Sequence, residues 1–461
     1  MRVDVLVAEV GSTTTLVNAF SGVFAGSGRS RLVGQGIART TVLEGDVTAG
    51  LQEAVKSLED SLGARLTWDS MLASSSAAGG LRMTVHGLAY EMTARAAREA
   101  ALGAGAIVRM ITAGPMTPRD GETLARIRPS IILLAGGVDH GERHTVVHNA
   151  RVIASLRLHA PVVYAGNVAA REEVTSILHG AGLRVMPVAN VYPRIDHLNV
   201  EPARRAIQRV FEERIVVAPG MEKIRDMVDG AIVPTPGAVM NAAGLLYREI
   251  GDLVVLDVGG ATTDVHSVTE GSEEISKILS SPEPLAKRTV EGDLGVFVNA
   301  ANVAERIGWG LLDREMGADS RSLLESMVSA GHAIPETPAE TALVERLALE
   351  CARVALQRHA GVVRTVAGYS GMSRIAEGKD LTRVKWVIGT GGALARLAGG
   401  RGIIGTILER VACAGAWGGQ ALYPSSAEVL IDNDYVMSSV GVLGLSHPEA
   451  ATQILKQSLG V

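Results

Sequence analysis

Two short stretches of this 461-residue chain carry the same chemical groups in the same order. Val7-Ala-Glu9-Val10-Gly11-Ser12-Thr13-Thr14-Thr15-Leu16-Val17 returns 248 residues later as Val255-Leu-Asp257-Val258-Gly259-Gly260-Ala261-Thr262-Thr263-Asp264-Val265. Each copy is an apolar run, an acid, a glycine-bearing turn rich in hydroxyls, then more β-branched residues, which predicts two strands joined by a tight turn. Without a Cβ in the way, the turn backbone can approach an anion, and successive amides with Ser or Thr hydroxyls can donate to phosphate oxygens. The acid at the strand end can hold a hydrated divalent cation. Either turn alone reads as well as an ordinary Gly/Thr hairpin. Two of them with matched acid, glycine and threonine, set face to face, would grip the β- and γ-phosphates of a nucleotide.

A third glycine cluster follows the apolar run Val384 to Ile388, where Gly389, Thr390, Gly391 and Gly392 form a turn that opens a helix. Strand, glycines and helix suit close backbone contact with a nucleoside, and the helix N-terminus favours nearby phosphate charge. The same pattern also serves simple helix-on-sheet packing. No GxxxxGK[ST] phosphate loop occurs, nor a G-x-G-x-x-G with its downstream acid.

These groups need elements to hold them. Residues 84 to 103 place Val85, Leu88, Met92, Ala96 and Ala100 at helical spacing, Ile131 to Leu134 form a short buried strand running into Gly136, Gly137 and Asp139, and Val162 to Asn167 repeat that pattern. Alternating strands and helices predict a parallel-sheet insertion over 82–215, with a ligand crevice at the strand ends near Asp139 and Asn167. Amphipathic helices are expected at 201–213 and 339–359. His140, His144 and His148 would share a helical face and could bind metal, although a loop entering a helix with surface imidazoles is the simpler reading. The segment from Gly271 to Pro284 reads as an exposed excursion, and Lys287, Arg288, Glu291 and Asp293 after it as a solvated charged face.

Composition narrows the function. A 47% hydrophobic chain of this length can bury a large core, and the prior is roughly three domains. A net charge of −5 and 3% aromatic residues give neither the basic field nor the stacking platforms of a nucleic-acid binder. No run approaches the ~18 apolar residues of a membrane span, and Asp4 and Glu9 interrupt the first apolar stretch, so a soluble, cytoplasmic protein without an export signal is expected. Cys351 and Cys413 are too few and too far apart for a disulfide framework or a CxxC metal clamp. Glycine is the outlier, 53 residues or roughly 11% against a usual ~7%.

The order of these motifs resembles the phosphate 1, phosphate 2 and adenosine motifs of the actin, heat-shock chaperone and sugar-kinase superfamily. More closely, the chain resembles the glutamate mutase L-protein (MutL) family, which is unrelated to the mismatch-repair protein of that name. The matching stretches include Ile132-Leu-Leu-Ala-Gly-Gly-Val-Asp139, Leu198-Asn-Val-Glu-Pro-Ala203, Lys287-Arg-Thr-Val-Glu-Gly-Asp-Leu-Gly295 and Met437-Ser-Ser-Val-Gly-Val442.

The resemblance implies an α/β fold of two actin-like (ribonuclease H-like) ATPase halves. The first half runs over 1–81 and is completed by 216–250, the inserted parallel sheet lies between them, and the second half spans 251–461. It implies ATP with Mg²⁺ as ligands, with phosphates at Gly11, Ser12, Thr13, Thr14 and at Gly259, Gly260, Ala261, Thr262, and the nucleoside at Gly389 to Gly392. Asp257 and Glu9 become the catalytic and metal-side acids. Glu9 departs from the aspartate usual in the superfamily, so Asp257 carries more of that role. It further implies a slow ATPase acting as an accessory or reactivating factor for an adenosylcobalamin-dependent mutase of the glutamate mutase or aminomutase type, with Lys287 to Asp293 as a nucleotide-sensing or partner-contacting loop. A small-molecule kinase or a hydantoinase-like ATP-dependent enzyme is the alternative, because it shares Asp-x-Gly-Gly-x-Thr-Thr-Asp. Partner identity and self-association are left open.

Overall fold

The computed structural model describes the whole chain apart from residues 12–13, 26–28, 42–44, 77–81, 216–220, 222, 369–370, 414–419 and 425. Strand β1 (Arg2–Val10) pairs antiparallel with β2 (Thr14–Ser21), and β2 with β3 (Arg31–Arg39). After the helix Val47–Leu62, β4 (Thr67–Ser75) lies parallel to β1 on its other side. β1 is apolar on both faces because both are covered. Leu6, Ala8 and Val10 belong to one core with Leu51, Ala54 and Leu58 of the first helix, while Val5 and Val7 belong to another with Ala242 and Leu246 of the helix Thr235–Ile250.

The chain then leaves this sheet. β5 (Arg82–Gly87), β6 (Ile107–Ala113), β7 (Ile131–Leu134), β8 (Val162–Tyr164) and β9 (Val185–Pro187) form a wholly parallel sheet in the order β6-β5-β7-β8-β9. Helices Arg95–Gly103, Pro118–Ile127, His144–Ser155 and Arg171–Gly180 make the crossovers. After the helix Glu201–Ile215, β10 (Ile232–Pro234) returns to pair parallel with β4, giving the first sheet the order β10-β4-β1-β2-β3.

The second part repeats this plan. β11 (Leu253–Val258), β12 (Thr263–Val268) and β13 (Ala286–Glu291) form an antiparallel meander. A hairpin of β14 (Val362–Gly368) and β15 (Gly371–Glu377) stands apart, and β16 (Trp386–Thr390) returns parallel to β11. β17 (Gln420–Ala421) joins β14, and β18 (Glu428–Ile431) pairs parallel with β16, so the order β13-β12-β11-β16-β18 mirrors the first sheet strand for strand. Three antiparallel strands followed by two parallel ones, present twice, constitute the duplicated ribonuclease H-like arrangement of the actin-like fold.

The halves meet through the helices Thr235–Ile250 and Met437–Leu443, which share a buried core with Val5, Phe20, Val255 and Val268. Their crossing is close: a Cβ on Gly441 would sit 1.8 Å from the carbonyl oxygen of Ala238.

Several expectations change. Residues 82–87 are β5, an interior strand of the parallel sheet between β6 and β7, and the helix that follows begins with a π turn at Tyr90–Ala94. Both faces of β5 are covered, with Thr84 and His86 buried as fully as Met83 and Val85, and Val85 also falls three residues before Leu88 and so fitted the helical spacing. Asp139 and Asn167 hold loops: Asp139 accepts from Val168 N and Asn190 Nδ2, and Asn167 bridges His140, Gly141 and Glu142. The three histidines do not share a helix, since His140 precedes it at φ 61° and His148 Nε2 donates to the Met116 carbonyl. The excursion before β13 is anchored, with Ile275, Ile278 and Leu279 packed on Val363 and Leu422. Lys287 and Arg288 are buried against the inserted sheet instead of solvated. Cys351 is buried, and the Cys413 side chain lies outside the described residues. No helix among the described residues is long and apolar enough to cross a membrane.

Replacing Gly441 by leucine forces the two central helices apart, and we expect it to cost at least about 2 kcal/mol in a denaturant melt. A midpoint unchanged from wild type would show that the crossing is not under steric constraint.

Candidate functional site

The two sequence-related turns open onto one cavity of about 340 Å³ between the halves. From the first half come Glu9, Gly11, Thr14, Leu16, Ile37 and Ser76, and from the second Asp257, the whole turn Gly259 to Thr262, and Asp264. In both turns the amide of the first glycine donates to the carbonyl three residues on, Gly11 to Thr14 and Gly259 to Thr262, each at 2.9 Å. The second turn is braced from behind. Val296, Phe297 and Val298 donate to the carbonyls of Gly259 and Gly260, and Asn299 Nδ2 to that of Ala261. Gly295 makes this possible, because a Cβ there would lie 2.5 Å from both the Gly260 and Ala261 carbonyl oxygens. With the carbonyls engaged, the amides of Gly260, Ala261 and Thr262 have no acceptor among the described residues. A braced turn with free amides has the geometry to receive an anion.

Space at the glycines points the same way. A Cβ on Gly260 would meet only Phe297 Cβ, at 3.5 Å, and one on Gly392 would meet nothing within 4 Å, so protein packing requires neither. The Thr235 hydroxyl, also in the cavity wall, is buried without a hydrogen-bond partner among the described residues.

The floor is acidic. Register sets Asp257 directly opposite Asp264 on β12, and Glu9 reaches the same space from β1. Burial first, then the charges of Asp264 and Glu9, push the Asp257 carboxyl up to about 8, with Arg288 opposing. Burial also pushes Glu9 up to about 7, opposed by the hydrogen bond from Ser438 Oγ and reinforced by Asp432. Carboxyls kept protonated by confinement and mutual repulsion are relieved by a divalent cation. The described residues contain no group of three His, Cys, Asp or Glu placed to hold a metal. A pair of carboxylates suits Mg²⁺, which keeps water and phosphate oxygens as its other ligands.

Across the cavity, Ala333, Ile334, Pro335, Val344 and Leu397 form an apolar wall beside Arg396, whose guanidinium lies 5.6 Å from the ring centroid of Tyr435. Arg396 bonds Gln35 Oε1 of the first half, and Gln35 Nε2 bonds Asn18 Oδ1 and the Asp434 carbonyl, so a polar chain spans the cleft.

The predicted site residues are thus distributed unevenly. Glu9, Gly11, Thr14, Asp257, Gly259 to Thr262 and Gly392 share the cavity. Ser12 and Thr13 lie outside the described residues. Gly391, at φ 81°, passes so close to Asp257 that a Cβ would come within 2.5 Å of Oδ1. Gly389 and Thr390 sit behind the wall: a Cβ on Gly389 would strike Ile404 and Ile431, and the Thr390 hydroxyl donates to Asp432. Sequence reasoning missed Thr235, Arg396, Tyr435 and the bracing loop 295–299. The loop carried a signal in the two glycines of Glu291-Gly-Asp-Leu-Gly295, and Thr235 heads Thr235-Pro-Gly-Ala-Val239, one of the stretches that match the family.

The profile of the MutL protein family matches residues 5–459. "Protein MutL" of Clostridium tetanomorphum is 36% identical over 473 aligned residues, covering 98% of each chain. Among solved structures, a glycerol dehydratase reactivase is 12% identical over 95% of this chain and 99% of its own, with TM-score 0.34. A diol dehydratase-reactivating factor in nucleotide-free form is 11% identical over 97% and 100%, also with TM-score 0.34.

The raised carboxyls set a pH dependence in the metal-free protein. Between about pH 4, where these acids ionise in the unfolded chain, and about pH 8, the folded state binds more protons, so their contribution to stability falls as pH rises. Asp257→Asn is expected to flatten that fall, read as the difference between wild-type and variant denaturation midpoints from pH 5 to 9. A difference constant with pH would contradict the assignment.

Proposed function

We propose that this chain, which belongs to the MutL protein family, is an ATP-dependent accessory factor whose cleft binds ATP with Mg²⁺ and hydrolyses it slowly. The observation that carries the reading is the pair of equivalent turns on one cavity, the second with its carbonyls engaged and its amides free. In this reading those amides and the Thr14 and Thr262 hydroxyls hold phosphate oxygens, and Ile334, Pro335 and Leu397 face the nucleoside. Glu9 and Asp257 would hold Mg²⁺, which supplies charge neutralisation to the phosphates. Phosphoryl transfer to water depends on positioning and charge stabilisation more than on a covalent nucleophile, so donors fixed by a braced turn and two carboxylates are sufficient equipment. Ser438 and Arg396 reach across from the second half to Glu9 and Gln35 of the first, so occupancy of the cleft bears on how the halves close.

The accessory role rests on family membership. Its proposed partner is an adenosylcobalamin-dependent mutase of the glutamate mutase or aminomutase type, on which nucleotide-dependent closure would act.

Calorimetry with ATP and Mg²⁺ tests the binding. Gly260→Val is expected to weaken affinity at least tenfold, roughly 1.4 kcal/mol, without lowering the melting temperature, since the fold leaves room for the side chain. Purified protein is expected to hydrolyse ATP without an acceptor, faster when the mutase is added, and Asp257→Ala to slow that hydrolysis by about 100-fold. Phosphorylation of a small hydroxyl or carboxyl compound outpacing hydrolysis would establish a kinase instead.

A further inference from the structure

One side chain ties the second phosphate turn to the inserted parallel sheet. Arg288 on β13 is 2% exposed, and its guanidinium is divided between two structural units. Nε donates to Asp264 Oδ1 at 2.7 Å, and Nη2 contacts the same oxygen. Nη1 donates to the carbonyls of Leu102 at 3.0 Å and Ala106 at 3.3 Å, at the end of the helix Arg95–Gly103 and the start of β6. The other Asp264 oxygen faces the turn, accepting from Thr262 Oγ1 at a long 3.3 Å. An unbroken chain therefore runs from the turn hydroxyl through a carboxylate and a guanidinium to the backbone of the inserted sheet.

The layer around Arg288 is not a settled core. Both Glu99 carboxylate oxygens, Arg204 Nε and both His266 ring nitrogens are buried without hydrogen-bond partners among the described residues. Buried polar groups are normally paired, and leaving them unpaired costs free energy that parting or sliding of the layers would recover through hydration. An apolar core joins the inserted sheet to the first half, whereas its contact with β13 is polar: Arg95 bonds Glu283, Arg204 the Ala286 carbonyl, and Arg288 alone reaches from the second phosphate turn to the Leu102 and Ala106 carbonyls.

We propose that Arg288 is a positioning residue that couples nucleotide occupancy of the cleft to the placement of the inserted sheet. The inference rests on the nucleotide reading above. A phosphate and its cation at the turn engage the Thr262 hydroxyl and draw on the charge of Asp264. That shifts the carboxylate which holds Arg288, and the two carbonyls at the other end of the same rigid fork move with it. By linkage, a partner that binds the displaced inserted sheet raises nucleotide affinity by the factor through which nucleotide raises its own. Lysine cannot substitute, because one ammonium on a flexible stem does not serve the carboxylate and both carbonyls in fixed geometry.

Hydrogen exchange over residues 95–106 of the full chain, with and without ATP and Mg²⁺, tests this beside calorimetry on the same samples. In the wild type, saturating nucleotide is expected to change exchange there at least about threefold. Arg288→Lys is expected to bind ATP within about threefold of wild type and to show no nucleotide-dependent change in that segment. Should Arg288→Lys fail to fold, Thr262→Val breaks the same chain at its exposed end and must abolish the change at saturating ATP. A response that persists in whichever variant folds, or a wild type that binds ATP without responding, overturns the coupling. No calorimetric binding by the wild type overturns the nucleotide reading and the coupling together.

Discussion

The constraint on which the molecule turns is that two carboxylates from different sheets, Glu9 and Asp257, occupy one confined space. Each stands at the end of the central strand of its sheet, where β1 and β11 run out into a glycine turn. For the two ends to meet, the sheets must be oriented alike about the helices between them, and those helices must cross closely enough to bring the turns within reach. Gly441 against Ala238 permits that approach. The confinement is unfavourable without a cation, and both carboxyls record it by holding protons near neutral pH.

The duplication is strict in topology and broken in chemistry. Strand order and turn register repeat, yet the residue opposite Glu9 on β2 is Leu16, where the residue opposite Asp257 on β12 is Asp264. The first half thus presents one acid, steadied by Ser438 from the second half. The second half presents two, and while Asp257 keeps its proton the carboxylate of Asp264 needs a compensating cation within the protein. Arg288 supplies it, and because β13 lies against the helix Arg95–Gly103, that compensation also reaches the inserted sheet.

The twofold strand-turn-strand pattern was legible in sequence because its period and its acid, glycine and threonine residues are local properties, and the actin-like class came with the resemblance that those motifs carry. The strand at β5 was not, because Val85 falls into helical spacing with Leu88 and Met92 just after it, and the polar residues that alternate along the strand, Thr84 and His86, are buried. Nor was the burial of Lys287 and Arg288, because charge predicts exposure unless a partner is known, and their partners Glu283, Asp264 and Leu102 meet them only through folding. Arg396 and Tyr435 escaped for a related reason. Arg396 ends the short helix that the glycine cluster opens and Tyr435 follows β18, and neither side chain belongs to the glycine pattern that drew notice.

Glycine excess, the one compositional anomaly, resolves into two populations with opposite meanings. At Gly295, Gly389, Gly391 and Gly441 a Cβ would collide with protein atoms, so the fold itself demands glycine. At Gly260 and Gly392 it would meet at most one atom at ordinary contact distance, and neither position lies in the left-handed region that a side chain avoids. The protein has room for a larger residue at both and does not use it, although glycine carries the larger entropic cost of folding. Gly180, Gly244 and Gly402 are as open, so space alone does not mark a site; what sets Gly260 and Gly392 apart is that both line the cavity between the halves. Gly260 also belongs to a turn whose amides lack acceptors among the described residues, an arrangement that can receive an anion.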